Sequence, residues 1–273
     1  MKRELKPSFI AALLSGELAP LLAKVKSDST LMLAIRENYI NIYYLGGNAI
    51  KLDQYAKENG FNASTGDYVK DGSLEKCPFS DAAALDEWFE KLKPAMKQSI
   101  EAHNKTERKI QQEIVKANFA IDQDYIIADI EVKVGDKEFD MLALKRLPNG
   151  KFQLSVIELK YGEGAFGNYK GSVKAGIVNH LQDFHAAFSQ IEEAKSMAIS
   201  QLNTYIELGL LPAHKYSEVD IESKVEFLFL LLNYDPQDSK SSVLHSILTK
   251  ANAFEADERS KYEYDLRYFA SKS

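Results

Sequence analysis

The sequence predicts an α/β protein: an N-terminal α+β extension, then a helix, a three-strand antiparallel meander, helices, a further strand and a closing helix. Three observations carry this. The strand-like runs "YIIADIEVKV", "EFDMLALKRL" and "KFQLSVIELKYG" are separated only by "GDK" and "PNG", which are hairpin-length connections. Segments with helical spacing of apolar residues flank the three runs. The run "FLFLLL" at Phe227–Leu232 is unbroken and apolar, as in a strand covered on both faces. With 273 residues, 45% of them hydrophobic, the chain can build one large or two small domains of about 100–200 residues.

In chain order, the start "MKRELKPSFIAALLSGELAPLLAK" reads as an amphipathic helix interrupted at Pro20. "LMLAIREN", "YINIYYLGG" and "NAIKLDQY" read as three short strands, with turns near Glu37-Asn38 and at Gly46-Gly47-Asn48. "KENGFNASTGDYVKDGSLEKCPFS" is rich in Gly, Ser, Asn and Asp and is expected to be loop. From Asp81 to about His103, Leu85, Trp88, Phe89, Leu92 and Met96 recur at helical spacing. A second helix covers "NKTERKIQQEIVKANFA", where Asn104 and Glu107 have capping-box spacing. The meander follows. A glycine-rich loop, residues 162–176, then leads into a helix with Ile177, Leu181, Phe184, Phe188 and Ile191 on one face. "AISQLNTYIELGLL" is a further helix, "KVEFLFLLLNYD" a strand and "SKSSVLHSILTKANAF" the last helix. The expected domains are an extension at 1–103 and a second domain at 104–273.

Composition narrows the function. One cysteine, Cys77, excludes an internal disulfide and a multi-cysteine zinc site, and fits a cytoplasmic location. No apolar run approaches the ~20 residues that span a bilayer, so no membrane partner is expected. A net charge of −6 argues against broad electrostatic attraction to nucleic acid. Any phosphate chemistry then needs local basic groups or a cation held by carboxylates.

The stretch "VIELKYG" supplies that combination. Residues two apart in a strand share a face, so Glu158 and Lys160 extend the apolar row Phe152, Leu154, Val156. A charge on such a row is costly unless it is paired or binds a metal. If the loop Pro148-Asn149-Gly150 is a three-residue hairpin loop, counting outward sets Asp140 opposite Glu158, with β-carbons about 5 Å apart. A two-residue loop would break this register. Two carboxylates that close repel unless one is protonated or a cation lies between them. Mg²⁺ suits a few carboxylates and keeps waters, and a lysine beside it can hold the attacking water. Glu113 lies at the edge of the helical stripe Ile110, Ile114, Ala117 and is a third candidate acid. A Gly135-Asp136 turn would set Glu131 across from Asp140, so Glu131 competes with Glu113 for that role.

These residues resemble the PD-(D/E)XK nuclease superfamily, the restriction-endonuclease-like fold, over roughly residues 104–234. The elements that match are Glu113 on a helix, Asp140 in "EFDML" and Glu158-Leu159-Lys160 in "VIELK". The resemblance implies a nuclease, a hydrolase of phosphodiester bonds. Asp140, Glu158 and the Leu159 carbonyl would bind Mg²⁺ or Mn²⁺, Lys160 would position the water, and Glu113 would complete the site. Gln201 and Tyr205 in "QLNTY" match a Gln and Tyr four apart that many members carry on a later helix. Phe139 stands where the family name has proline. The implied partner is nucleic acid, DNA before RNA. A homodimer, an inactive binding module that keeps the fold, and a hydrolase of small phosphorylated substrates stay open.

His180 and His185 are five apart and do not share a helical face; packing or surface roles are expected, with His180 also an accessory candidate. The 162–176 loop lacks the P-loop spacing, yet its Tyr169, Lys170 and Lys174 follow the lysine motif closely and are candidates for a lid. Lys145, Arg146 and Lys151 flank the hairpin loop and are expected to be surface charge.

Overall fold

The computed structural model describes residues 3–55, 60–66, 74, 76–103, 106–120, 124–162, 165, 176–212, 220–233, 246, 248–252 and 261–271. It is a mixed α/β structure with one antiparallel and one mixed sheet. The chain divides into two compact units, Met1–Asp122 with Ile199–Ser217, and Gln123–Ala198 with Glu218–Ser273. The expected boundary at 103/104 differs from this division. Residues 104–122 and 199–217 group with the N-terminal segment.

In the first unit, helices α1 (Pro7–Ser15) and α2 (Ala19–Ser27) replace the single interrupted helix. The break falls at Gly16, where a Cβ would lie 2.8 Å from the Ala12 Cα. Pro20 does not interrupt a helix. It sits in the first turn of α2, where its missing N–H costs nothing. Phe9, Leu13, Leu21, Leu22 and Val25 are buried.

Strands β1 (Leu31–Ile35), β2 (Tyr39–Tyr44) and β3 (Gly47–Gln54) form the expected meander. The first turn is Glu37-Asn38, with Asn38 at φ 56. The second falls one residue earlier than expected, at Leu45-Gly46, with φ 49 and 78. Two positive φ values match the sheet's twist in a two-residue hairpin. A fourth strand, β4 (Phe61–Ser64), pairs with β3. It corrects the loop expected there. Phe61 packs edge-on against Phe9, with ring centroids 4.9 Å apart, and that contact outweighs the poor strand propensity of the surrounding residues. Helix α3 (Ala82–His103) is capped by Asp81, which accepts from the N–H groups of Ala83 and Ala84 at 3.0 and 3.1 Å. Helix α4 spans Thr106–Ala120. Asn104 and the Glu107 side chain, the expected capping box, lie outside the described residues.

The second unit holds a five-stranded sheet in the order β5-β6-β7-β8-β9. Strands β5 (Tyr125–Val134), β6 (Lys137–Arg146) and β7 (Phe152–Tyr161) are antiparallel. Strand β8 (Val225–Leu232) runs parallel to β7, and β9 (Tyr264–Ser271) parallel to β8. The β9 segment was not expected as a strand. Helix α5 (Ile177–Ala187) lies over this sheet through Phe184, which stacks on Phe227 at 4.5 Å. Helix α6 (Ile191–Glu207) begins in this unit, and its residues from Ile199 onward belong to the other. Of the expected last helix, residues 248–252 are helical and the rest lies largely outside the described residues. Among the described residues no single helix is long and apolar enough to cross a membrane.

Gly46 offers a test of how the first unit is held. Its N–H donates to Gln112 Oε1 at 2.6 Å, and a Cβ there would lie 2.5 Å from the Lys109 backbone nitrogen of α4. A left-handed non-glycine residue costs roughly 1–2 kcal/mol before any clash. Gly46→Ala is therefore expected to lower the unfolding free energy by about 2 kcal/mol or more, measured as a fall in the urea midpoint at unchanged m-value.

Candidate active site

The 148–150 loop closes as a three-residue connection: Leu147 N–H donates to the Lys151 carbonyl at 2.8 Å, and Gly150 takes φ 82. The resulting ladder runs from Arg146↔Phe152 to Met141↔Ile157. One residue further, Asp140 Oδ2 accepts the Leu159 N–H at 2.7 Å. A side-chain carboxylate thus occupies the place of a ladder carbonyl just beyond the last β6–β7 pair. Asp140 is held beside Glu158 by this bond.

Glu158 is 3% exposed, and Lys160, 4% exposed, points its ammonium at Glu158 Oε1 at 2.6 Å. His180 of α5 completes a triangle. Its Nε2 is 3.1 Å from Lys160 Nζ and 3.1 Å from Glu158 Oε1. The other carboxylate oxygen, Glu158 Oε2, is buried and has no hydrogen-bond partner among the described residues. Burial, and then the nearby Asp140 charge, push the Glu158 carboxyl up to about 8 against the pull of Lys160. Among the described residues such a group is half-satisfied: Lys160 meets one oxygen, the other has no hydrogen-bond partner, and the Asp140 backbone N–H adds a weaker pull toward the charged form. A bare buried oxygen costs free energy and is where a ligand or ion gains most.

The other candidates separate. Glu131 falls between the pairs Ile130↔Met141 and Val132↔Phe139, the position across from Asp140. Its φ of 48 lies in the left-handed region, which is rare for a non-glycine residue and concentrates at functional sites. Glu113 lies on α4 in the first unit, with a side chain 59% exposed and Lys109 3.9 Å away. Gln201 and Tyr205 also belong to the first unit. Both are buried, and the Tyr205 hydroxyl accepts the Ile35 N–H at 3.4 Å. Within the second unit the gathered groups are therefore Asp140, Glu158, Lys160 and His180, with Glu131 at the register position across from Asp140. Tyr169, Lys170 and Lys174 lie outside the described residues. His185 packs, stacked on Tyr262 at 4.7 Å with its Nε2 2.8 Å from the Tyr264 hydroxyl.

Glu226 was not anticipated. It is fully buried on β8 and meets Lys145 Nζ at 2.6 Å, the Tyr125 hydroxyl at 2.8 Å, Ser155 Oγ at 2.8 Å and Arg267 Nε at 3.0 Å. Lys145, expected as surface charge, is thus an internal counter-ion. Ser155 alternates with Glu158 along β7, which places this cluster on the opposite sheet face. The signal in the sequence was a lone glutamate inside "KVEFLFLLL". Its partners fill its acceptor capacity, and it holds strands together.

The resemblance implies a divalent metal, and the donor set is compatible with one. Among the described residues no group of three or more His, Cys, Asp or Glu side chains is placed to hold a metal ion. Two adjacent carboxylates, one with a bare buried oxygen, instead suit an ion that retains several waters, as Mg²⁺ does. Comparison with protein-family models, curated proteins and solved structures found no match to the chain.

The Glu158 shift has a definite sign. Its folded-state value near 8 lies above the ordinary 4.5, so the folded chain holds this proton more tightly than the unfolded chain. The stability it contributes is complete below about 4.5 and is lost as pH rises to about 8. In EDTA, the melting temperature of wild type relative to Glu158→Gln is expected to fall across that window and level off above it. A difference independent of pH would contradict the shift.

Proposed function

We propose that the chain is a divalent-metal-dependent nuclease that hydrolyses nucleic-acid phosphodiester bonds, DNA before RNA. The observation that carries this is the buried Glu158 Oε2 beside Asp140, without a hydrogen-bond partner among the described residues, with Lys160 on the adjacent pleat. The resemblance in "EFDML" and "VIELK" supports the substrate class. Asp140, Glu158 and the Leu159 carbonyl would hold Mg²⁺ or Mn²⁺. When bound, the ion supplies Lewis-acid stabilisation of charge on the phosphate oxygens.

The chain's own groups do the rest. Asp140 is oriented by the Leu159 N–H, so its carboxylate arrives in one position. Lys160 is fixed between Glu158 and His180. An ammonium held there by two partners can donate to an incoming water and keep it in line with the phosphorus. The apolar row that leads to Glu158, with Val156 and Leu154 fully buried, keeps bulk water from the far side of the carboxylate and raises the strength of each charge interaction.

One observation favours a second reading. With a net charge of −6, affinity for a polyanion must come from a local patch, which suits a module that binds without turnover. The two readings part on single- and double-stranded DNA and RNA assayed with Mg²⁺, Mn²⁺ or EDTA. Cleavage is expected with either metal, none in EDTA, and a loss of about a hundredfold or more in Lys160→Ala. Cleavage that survives EDTA or the substitution contradicts the nuclease mechanism. Metal-dependent binding without cleavage selects the module.

A further inference from the structure

The first unit contains a cavity of about 350 Å³ lined by residues of α2, β1, α4 and the turn after α6. That volume falls in the range of small-molecule sites. Among the described residues strand β1 is the edge of its sheet and pairs only with β2. The Arg36 N–H donates to the Tyr39 carbonyl at 2.8 Å across the turn. Antiparallel pairs alternate, so Ala34 and Met32 turn their backbone groups toward β2, while Leu31, Leu33 and Ile35 turn theirs to the open edge.

Two hydrogen bonds agree with this phase. The Ile35 N–H goes to the Tyr205 hydroxyl at 3.4 Å, and the Leu31 N–H to the Asp28 carbonyl at 2.9 Å. The Ile35 carbonyl is taken by Arg36 at 2.9 Å. The backbone groups left on the open edge, on two residues that line the cavity, are a row of three: the Leu31 carbonyl, the Leu33 N–H and the Leu33 carbonyl. None of the three has a partner among the described residues. Tyr205 closes the row at one end. Asp28 and the Gln112–Thr30 carbonyl bond, at 3.0 Å, close it at the other. An extended peptide has no room to continue along the edge, but a compact planar ligand does.

The row reads acceptor, donor, acceptor. Its complement is donor, acceptor, donor. Adenine presents that order with its N6 amino group, N1 and the weakly donating C2–H. Guanine and uracil place an acceptor against the first carbonyl, and cytosine places one against the last. Val25 and Leu210 supply apolar walls. Lys26 and Lys116 also line the cavity, and among the described residues neither has a carboxylate partner. Gly209 leaves room for one of them, since a Cβ there would lie 3.0 Å from Lys26 Nζ. We propose that this cavity binds an adenine nucleotide, with the base on the open edge of β1 and the phosphate on Lys26 and Lys116. The site is independent of the Glu158 cluster and of the nuclease assignment.

The test is calorimetric titration of the full chain in EDTA with AMP, ADP, GMP, CMP, adenosine and inorganic phosphate. AMP or ADP is expected to bind one per chain, with GMP, CMP, adenosine and phosphate at least tenfold weaker. Lys26→Ala with Lys116→Ala is expected to weaken nucleotide binding at least tenfold at unchanged melting temperature, and the paired arginine variant to restore most of it. Absence of AMP and ADP binding overturns the site, as does binding that survives the double alanine variant. Equal affinity for GMP or for phosphate alone overturns the reading of the base.

Discussion

A buried carboxylate that is satisfied on one side only is the constraint around which the second unit makes sense. Glu158 sits in a row of apolar residues, where an isolated charge is strongly disfavoured. Lys160 and His180 meet one of its oxygens and leave the other bare. A sequence selected for stability alone could place leucine there. Retaining a proton-holding acid next to a second acid points to a task that the fold does not itself require.

Glu226 shows what a structural carboxylate looks like in the same sheet. It is as deeply buried, yet four partners from β5, β6, β7 and β9 surround it. The two acids alternate across the sheet faces and contrast in satisfaction: one is saturated and binds strands together, the other is open. The aromatic stack of Phe184 on Phe227 holds α5 over the Glu158 face and so positions His180. The parallel pairing Glu158↔Phe229 and Lys160↔Leu231 places large apolar neighbours beside both charged residues. These neighbours remove water, and that burial is the main reason Glu158 holds its proton so tightly.

Much of this geometry was legible because hairpin chemistry is local. The Pro148-Asn149-Gly150 loop length set the register that brings Asp140 to Glu158, and the Gly135-Asp136 turn set Glu131 across from Asp140. The left-handed backbone at Glu131 has no counterpart in a residue alphabet that favours glycine there. Strand β4 was hidden by loop-like composition, since its pairing partner β3 and the Phe9 contact decide it. Strand β9 was hidden because Asp265 and Arg267 interrupt its apolar signal; Asp265 pairs with Lys224 just before β8, and Arg267 with Glu226 of β8. Helical periodicity located the α4 stripe near Glu113 correctly, but periodicity carries no information on which unit a helix joins. The same limit applied to Gln201 and Tyr205, whose spacing is visible while their tertiary partners are not.

Calorimetric or spin-resonance titration with Mn²⁺ at alkaline pH, where Glu158 is ionised, is the most direct measurement. Wild type is expected to bind one ion per chain, and Asp140→Asn and Glu158→Gln each to weaken that binding at least tenfold without loss of fold. Absence of saturable binding, or binding indifferent to both substitutions, would contradict a site built on the open oxygen of Glu158.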